Sequence, residues 1–175
     1  YEYYKGKTIL MIALSNNHLE LVKYLVENGA DINTKNYVGI TPLIVASEYG
    51  NLEVVKYFVE EKVMDINYKN NDGNNSLMSF ILSDPYYQFV YSKDAKNLEL
   101  VKYLLENGSD INDKNNNGNT ALMLFLFPEE QDIAANIRIS TLLYILSSEE
   151  TIDNAYKIVK YLIENGADIN AKNNN

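Results

Sequence analysis

The sequence predicts an all-α solenoid, in which helix-turn-helix units stack in a row and are joined by short hairpin loops. One segment occurs four times within the 175 residues, at 19–33, 52–67, 98–112 and 156–170, and reads LELVKYLVENGADIN in its first copy. A second segment precedes each copy and begins with a glycine, at Gly6, Gly39, Gly73 and Gly118. A pair of short helices cannot bury its apolar sides alone, so repeated pairs must stack on one another.

The longer segment predicts the outer helix of each unit. In the first copy, the apolar residues recur at helical spacing and charged residues lie between them. The apolar residues are Leu21, Val22, Leu25 and Val26. Asn28-Gly29 follows, and we expect the helix to end there because glycine enters the left-handed conformation without a steric penalty.

The preceding segment predicts a tight turn and a shorter inner helix. Asn-Asp-Gly at 71–73 and Asn-Asn-Gly at 116–118 are typical turn sequences. In the second copy, Thr41 is a good N-cap and Pro42 suits the first helical position. The asparagine of each Asp-Ile-Asn triplet is expected to close hairpin hydrogen bonds, at Asn33, Asn67, Asn112 and Asn170.

These motifs resemble the ankyrin repeat. The resemblance lies in G-x-T-P-L-x-x-A at 39–46 and in N-G-A-D-I-N at 28–33 and 165–170. It covers nearly the whole chain and implies one array over residues 1–175. Its four units are expected at about 3–35, 36–69, 70–114 and 115–172.

The spacing of the repeats also predicts where extra residues lie. The four glycines that open the units are 33, 34 and 45 residues apart, so the second unit carries one additional residue. Longer insertions are expected at about 83–96 and 128–154, between the inner and outer helices of the third and fourth units. The pattern after Pro128 predicts one extra helix in the second insertion, whose flanks are acidic. This insertion is either a decorated loop that covers the last units or a partner-specific surface.

Two features depart from the family pattern. The family usually has histidine after the T-P-L triplet, whereas this chain has Met11, Ile44, Met78 and Met123, so we expect more apolar and softer contacts between loops. The small alanine of the inner helix becomes Phe80 and Phe125 in the last two units. We expect these rings to pack against inserted residues or within a widened helix pair.

The two ends of the array have an unusual composition. Terminal repeats normally turn a polar face to water, but the first inner helix is apolar nearly all round. At the other end, Val159, Leu162 and Ile163 have no following unit to cover them. Either the chain is part of a longer array, or copies stack on one another.

Composition excludes several kinds of function. The chain has no cysteine, and its net charge of −9 disfavours nucleic acid or an anionic membrane as a partner. No apolar run reaches the ~20 residues that cross a bilayer. The sequence begins with Tyr1 and not with Met, so targeting cannot be judged, and the cytoplasm is the default expectation.

Candidate catalytic chemistry is sparse. His18, the single histidine, lies at the start of the first outer helix, where spacing places no acid or nucleophile beside it. The acidic residues of the second insertion match no calcium-loop spacing. Phosphate-binding and nucleophile-elbow motifs are also missing from the sequence. We therefore expect no enzymatic activity, no cofactor and no metal site.

Recognition of a protein partner remains as the expected function. The resemblance implies a concave groove that is lined by the hairpin tips and by the exposed side of the inner helices. Carried over to this chain, the partner-binding residues are Tyr37, Val38, Ile40, Glu48, Tyr49, Lys7, Asn16, Asn71, Asp72 and Asn74. Packing between adjacent hairpins is the alternative for Val38 and Ile40, and also for Tyr37 and Tyr49. Partner binding is favoured for the tyrosines because an exposed apolar patch usually has a use. The alternative function is a structural spacer or a self-stacking scaffold segment of a larger repeat protein.

Overall fold

The computed structural model describes residues 6–83, 96–126 and 149–174. These ranges contain helices and no strand. In chain order the helices are α1 (Ile9–Ser15), α2 (Leu19–Glu27), α3 (Pro42–Glu48), α4 (Leu52–Lys56), α5 (Ser76–Ser83), α6 (Lys96–Glu106), α7 (Ala121–Leu126) and α8 (Glu149–Glu164). A π-helical turn, Tyr57–Glu61, continues directly from α4.

The helices form two layers that run the length of the stack. Helix α3 packs between α1 and α5, and α5 packs against α7, which makes the inner layer. The outer layer is α2, α4, α6 and α8, each packed against the next. Buried side chains from both layers form one continuous core. The predicted all-α solenoid of serially stacked helix pairs is therefore confirmed.

Capping side chains begin the inner helices, and at Thr41 this confirms the prediction from the sequence. The hydroxyl of Thr41 accepts a hydrogen bond from the backbone N–H of Ile44 at 3.3 Å. The side chain of Asn75 caps α5 in the same way, accepting from the N–H of Met78 at 3.0 Å. Each cap satisfies a backbone donor that the first helical turn leaves without an internal partner.

Glycine ends the outer helix of the first unit, also as predicted. Gly29 has φ +90°, and the N–H of Ala30 then returns to the carbonyl of Leu25 at 2.9 Å. The third and fourth units repeat this arrangement at Gly108 and Gly166.

The extra residue of the second unit is accommodated inside its outer helix. The helix widens into the π-helical turn Tyr57–Glu61, and Val63 takes the left-handed position that glycine holds in the other units, with φ +54°. The N–H of Met64 still returns to the carbonyl of Phe58 at 3.1 Å, so the loop regains its register. A β-branched residue is strained at positive φ, and Val63 is 84 % exposed, which leaves little packing to offset the strain.

The two insertions can be compared with the structure only at their edges. The predicted extra helix after Pro128 lies outside the described residues, as does most of each insertion. Helix α8 begins at Glu149, so the last residues that were assigned to the second insertion instead extend the outer helix. Phe80 is fully buried in the core, and Phe125 is partly buried against it.

The ends of the array differ in part from the expectation. Leu162 is fully buried, so the prediction that it lacks cover is wrong, because it points into its own unit's core. Leu21, expected on the apolar face of α2, is 45 % exposed.

Replacing Val63 with glycine is expected to stabilise the protein by about 1 kcal/mol, the cost of holding a residue with a Cβ in the left-handed region. Chemical denaturation monitored by circular dichroism measures the change. The matched variant is Gly108→Val, which should destabilise by a similar amount, because no atom of the described residues lies within 4 Å of where a Cβ at Gly108 would be. A loss of stability in Val63→Gly would show that the strain is not real.

Candidate functional site

An asparagine shapes each hairpin tip from within. The Oδ1 of Asn70 accepts from the backbone N–H groups of Asp72 at 3.0 Å and Asn74 at 2.9 Å. Asn36 and Asn115 make the same pair of bonds in their own hairpins. The tip therefore has a fixed backbone conformation before any neighbour is considered.

A second row of bonds joins each tip to the next. The side-chain amide of Asn71 donates to the carbonyl of Tyr37 at 3.1 Å, and that of Asn116 donates to the carbonyl of Asn71 at 2.8 Å. Asn174 continues the row to the carbonyl of Asn116 at 3.0 Å. These residues form what we call the tip ladder: Tyr37, Asn71, Asn116 and Asn174. The expectation of softer, apolar contacts between loops is therefore wrong, because asparagine amides join the loops.

Two of the four asparagines in the Asp-Ile-Asn triplets, Asn67 and Asn112, join their unit to the next one through their side chains. The amide of Asn67 donates to the carbonyl of Gly108 at 2.8 Å, and its Oδ1 accepts from the N–H of Asp110 at 3.1 Å. Asn112 makes the same two bonds with Gly166 and Asp168 of the fourth unit. For Asn67 and Asn112, the predicted role in hydrogen bonding is correct, but their side chains bind the next unit and not their own hairpin.

Lysines add contacts along the same edge. Lys69 pairs with Asp113 and donates to the carbonyl of Lys114 at 3.0 Å, and Lys114 donates to the carbonyl of Lys172 at 2.8 Å. Lys35 lies 4.2 Å from the ring centroid of Tyr68, close enough for a cation–π contact. Each of these three lysines therefore contacts the unit that follows its own.

The predicted partner-binding residues fall into three groups, which are exposed, half-buried and buried. Tyr37 is 73 % exposed and Tyr49 is 41 % exposed. Asn16, Asn71 and Asp72 are also exposed, whereas Lys7, Val38 and Glu48 are half-buried.

Ile40 and Asn74 are buried and are corrected out of the set. Ile40 is 3 % exposed and belongs to the core, as the alternative of neighbour packing anticipated. The Oδ1 of Asn74 accepts from the amide of Asn115 at 3.1 Å, so this side chain serves the junction between units three and four.

Exposed aromatic surface is concentrated on the second unit. Tyr37 lies at the hairpin tip and Tyr49 caps the C-terminal end of α3, eight residues beyond Thr41. A rise of 1.5 Å per residue places the two ends of this helix about 12 Å apart. Between them, α3 is buried from Pro42 through Ser47, so the side chains that a partner can reach lie at the ends of the helix.

Tyr37 also differs from its equivalents in the tip ladder. Asn71, Asn116 and Asn174 each use the side-chain amide to bind the preceding tip. Tyrosine has no amide, and its ring instead lies beside Gly6 of the first unit, 3.2 Å from a Cβ built there. Most of the ring is left at the surface.

The outer helices carry a third set of contacts between units, which sequence reasoning missed. Lys23, Lys56 and Lys102 lie over the rings of Tyr57, Tyr103 and Tyr161 in the next unit, with nitrogen-to-centroid distances of 5.6, 5.9 and 5.3 Å. The signal was present in the sequence, since the Val-Lys-Tyr triplet recurs in all four copies.

At two of these three junctions between units, the tyrosine hydroxyl adds a further contact with a glutamate of the preceding unit. The Tyr103 hydroxyl donates to Glu60 at 2.9 Å. Burial, followed by this bond and the charge of Glu60, raises the pKa of Tyr103 well above its ordinary value. Burial and Glu106 raise the pKa of Tyr161 in the same way. Tyr57, which begins the π-helical turn, is buried, and its hydroxyl has no partner among the described residues.

His18 lies at the start of α2, is exposed, and makes no capping bond through its side chain. No group of three or more His, Asp or Glu residues in the described ranges could hold a metal ion. No helix within those ranges has both the length and the apolar character that crossing a membrane requires.

The fold and this edge of bonded hairpins define a helical repeat scaffold. The family model for ankyrin repeats matches three times, at residues 2–36, 10–91 and 89–173, and the chain belongs to that family. A search of curated proteins finds no match. Ankyrin repeats are generally protein–protein interaction modules and are generally non-enzymatic. The family matches are three and overlap, so the division into four units rests on the helix pairs of the structure.

Gly73→Ala is expected to destabilise the protein by roughly 2 kcal/mol more than Gly108→Ala, within the usual range for a forced steric clash. A Cβ at Gly73 would lie 2.7 Å from the backbone nitrogen of Asn116, whereas the space at Gly108 is open. Both glycines have positive φ, so the difference isolates the contact between tips. Denaturant titration measures it, and equal losses would show that the tips are not in close contact.

Tyr103→Phe is expected to cost about 1 kcal/mol at neutral pH, the net value of one hydrogen bond. A pKa raised on folding means that the contribution is complete below pH 10, the ordinary value, and is lost as pH rises further. The stability difference between wild type and variant should therefore shrink above about pH 10.

The matched variant for Tyr103→Phe is Tyr57→Phe, which removes a buried hydroxyl that has no partner in the described ranges and should leave stability unchanged or increased. Thermal unfolding across the pH range compares the three proteins. Equal losses in both variants would contradict the assignment of the Tyr103–Glu60 bond.

Proposed function

We propose that this chain is a non-enzymatic recognition module, and that it binds a protein partner through the tip and the inner-helix end of its second unit. The observation that carries the proposal is the Tyr37 side chain. It occupies a ladder position where the following units have bonded asparagines, yet most of its ring is exposed. Exposed tyrosine on a rigid backbone is a frequent anchor in protein interfaces.

The surroundings of Tyr37 suit this role. Hydrogen bonds to Asn36 and from Asn71 fix the tip backbone, so little conformational entropy is lost when a partner binds. Tyr49 offers a second aromatic contact at the C-terminal end of α3, about 12 Å along the helix from its N-cap Thr41. Val38 and Glu48 of the same unit are half-buried, as is Lys7 of the first unit, and Asn16, Asn71 and Asp72 of the flanking units are exposed.

The test uses a photo-reactive amino acid in place of Tyr37, with a control that carries the same group in place of Glu53. Glu53 lies exposed on α4, on the outer layer of the same unit. A partner that is cross-linked from position 37 and not from position 53 is then purified. Its affinity for Tyr37→Ala should be at least about tenfold weaker, as expected for an interface anchor.

The alternative function, a structural spacer, gives the opposite result. Tyr37→Ala and Tyr49→Ala would then change no interaction. A partner cross-linked equally well from position 53, or bound equally well by Tyr37→Ala, would overturn the assignment of this surface.

A further inference from the structure

Among the aspartates whose side chains the structure describes, Asp72 is the only one whose carboxylate makes no bond within the fold. The others accept a backbone N–H or pair with a lysine, at Asp31, Asp65, Asp110, Asp113 and Asp168. Asp72 is exposed at the tip of the third unit, and the nearest lysine in the sequence, Lys69, is paired with Asp113. The charge of this carboxylate is therefore available to a partner.

The backbone of Asp72 is held on both sides. Its N–H donates to the Oδ1 of Asn70 at 3.0 Å, and its carbonyl accepts from the N–H of Asn116 at 3.0 Å. The carboxylate takes no part in either bond. A partner therefore meets a side chain on a fixed backbone, and binding it costs little conformational entropy.

Asp72 lies close to Tyr37 along the hairpin tips. The residue before it, Asn71, donates its amide to the carbonyl of Tyr37 at 3.1 Å and its N–H to the carbonyl of Val38 at 3.0 Å. The ring of Tyr37 leans toward Gly6 of the first unit, so the ring and the carboxylate are contacted by different residues of a partner. Packed helices are about 9 Å apart, a distance that an extended chain covers in about three residues.

We propose that the partner of this surface is a basic protein segment, which lies extended along the tips, packs one residue on Tyr37 and pairs an arginine or lysine with Asp72. This inference rests on the proposed function, since it names the class of partner for the same surface. The net charge of −9 favours it, because an acidic chain attracts a basic segment and speeds its association. Tyr37 is then the anchor, and Asp72 selects the partner by charge.

The neighbouring lysines do not favour an acidic partner instead. Those of the first three hairpins are engaged with the following unit: Lys35 with the ring of Tyr68, Lys69 with Asp113, and Lys114 with the carbonyl of Lys172. A carboxylate brought to Asp72 would meet a like charge, which costs affinity.

Selection of peptides on the whole chain tests the proposal. A library of random peptides displayed on phage is selected on wild type and counter-selected on Tyr37→Ala. The peptides that depend on Tyr37 should be enriched in arginine and lysine. One of them is synthesised with a fluorophore, and its affinity for each variant is measured by fluorescence anisotropy.

Asp72→Asn removes the charge and little else. It converts Asn-Asp-Gly at 71–73 into Asn-Asn-Gly, which is already the tip sequence of the fourth unit at 116–118. This variant should bind the peptide roughly threefold more weakly, as expected for one exposed ion pair, and added salt should weaken its binding less than that of wild type. The control Glu53→Gln removes a charge from the exposed outer layer and should bind as wild type does.

Reversing the charges identifies the pairing. Asp72→Arg should weaken binding of the basic peptide at least about tenfold, because it brings like charges together. A peptide in which glutamate replaces the pairing basic residue should bind Asp72→Arg more tightly than it binds wild type. Circular dichroism and thermal unfolding establish that every variant is folded.

Two results would overturn this inference and leave the proposed function intact. The first is a set of peptides that depend on Tyr37 but are acidic or show no excess of basic residues. The second is equal affinity of the peptide for wild type and Asp72→Asn. A selection in which no peptide distinguishes wild type from Tyr37→Ala would instead contradict the proposed function and this inference together.

Discussion

The structure depends on one constraint, which is that a pair of short helices is too small to bury its own apolar surface. Helix α3 is buried from Pro42 through Ser47 only because α1 and α5 lie on either side of it. Stability therefore resides in the junctions between units and not within them. Each junction has an apolar centre in which the helices pack, and polar contacts along both edges that set the register.

Those polar contacts explain how the chain tolerates an irregular second unit. The additional residue widens the outer helix at Tyr57–Glu61 and strains Val63. At the start of the same turn, the hydroxyl of Tyr57 has no hydrogen-bond partner within the described part of the chain. The disturbance ends there, since the N–H of Met64 closes the same loop bond that Ala30 makes in the first unit. A junction that is held along two edges keeps its register, so the misfit is confined to one helical turn.

The sequence predicts what depends on local chemistry. Thr41 and Gly29 mark helix ends because a hydroxyl caps nearby N–H groups and glycine accepts positive φ, and both act over a few residues. The tip ladder was not predicted, because Asn116 binds the carbonyl of Asn71, which is 45 residues away in the chain. The prediction that Ile40 lines the groove was wrong because its burial also depends on packing between units. It lies only three residues from Tyr37, but burial differs sharply along a hairpin that packs on one side.

The tip ladder also bears on how such a scaffold can acquire a binding surface. Asn71 and Asn116 are exposed, but their amides are already engaged between units, so their substitution weakens the scaffold along with any contact to a partner. A position where the ladder does not require an amide is free of that conflict. Tyr37 is such a position, since it contributes its backbone carbonyl to the ladder while its ring remains largely exposed. Side chains that face a partner can vary at these positions without altering the bonds that hold the units in register.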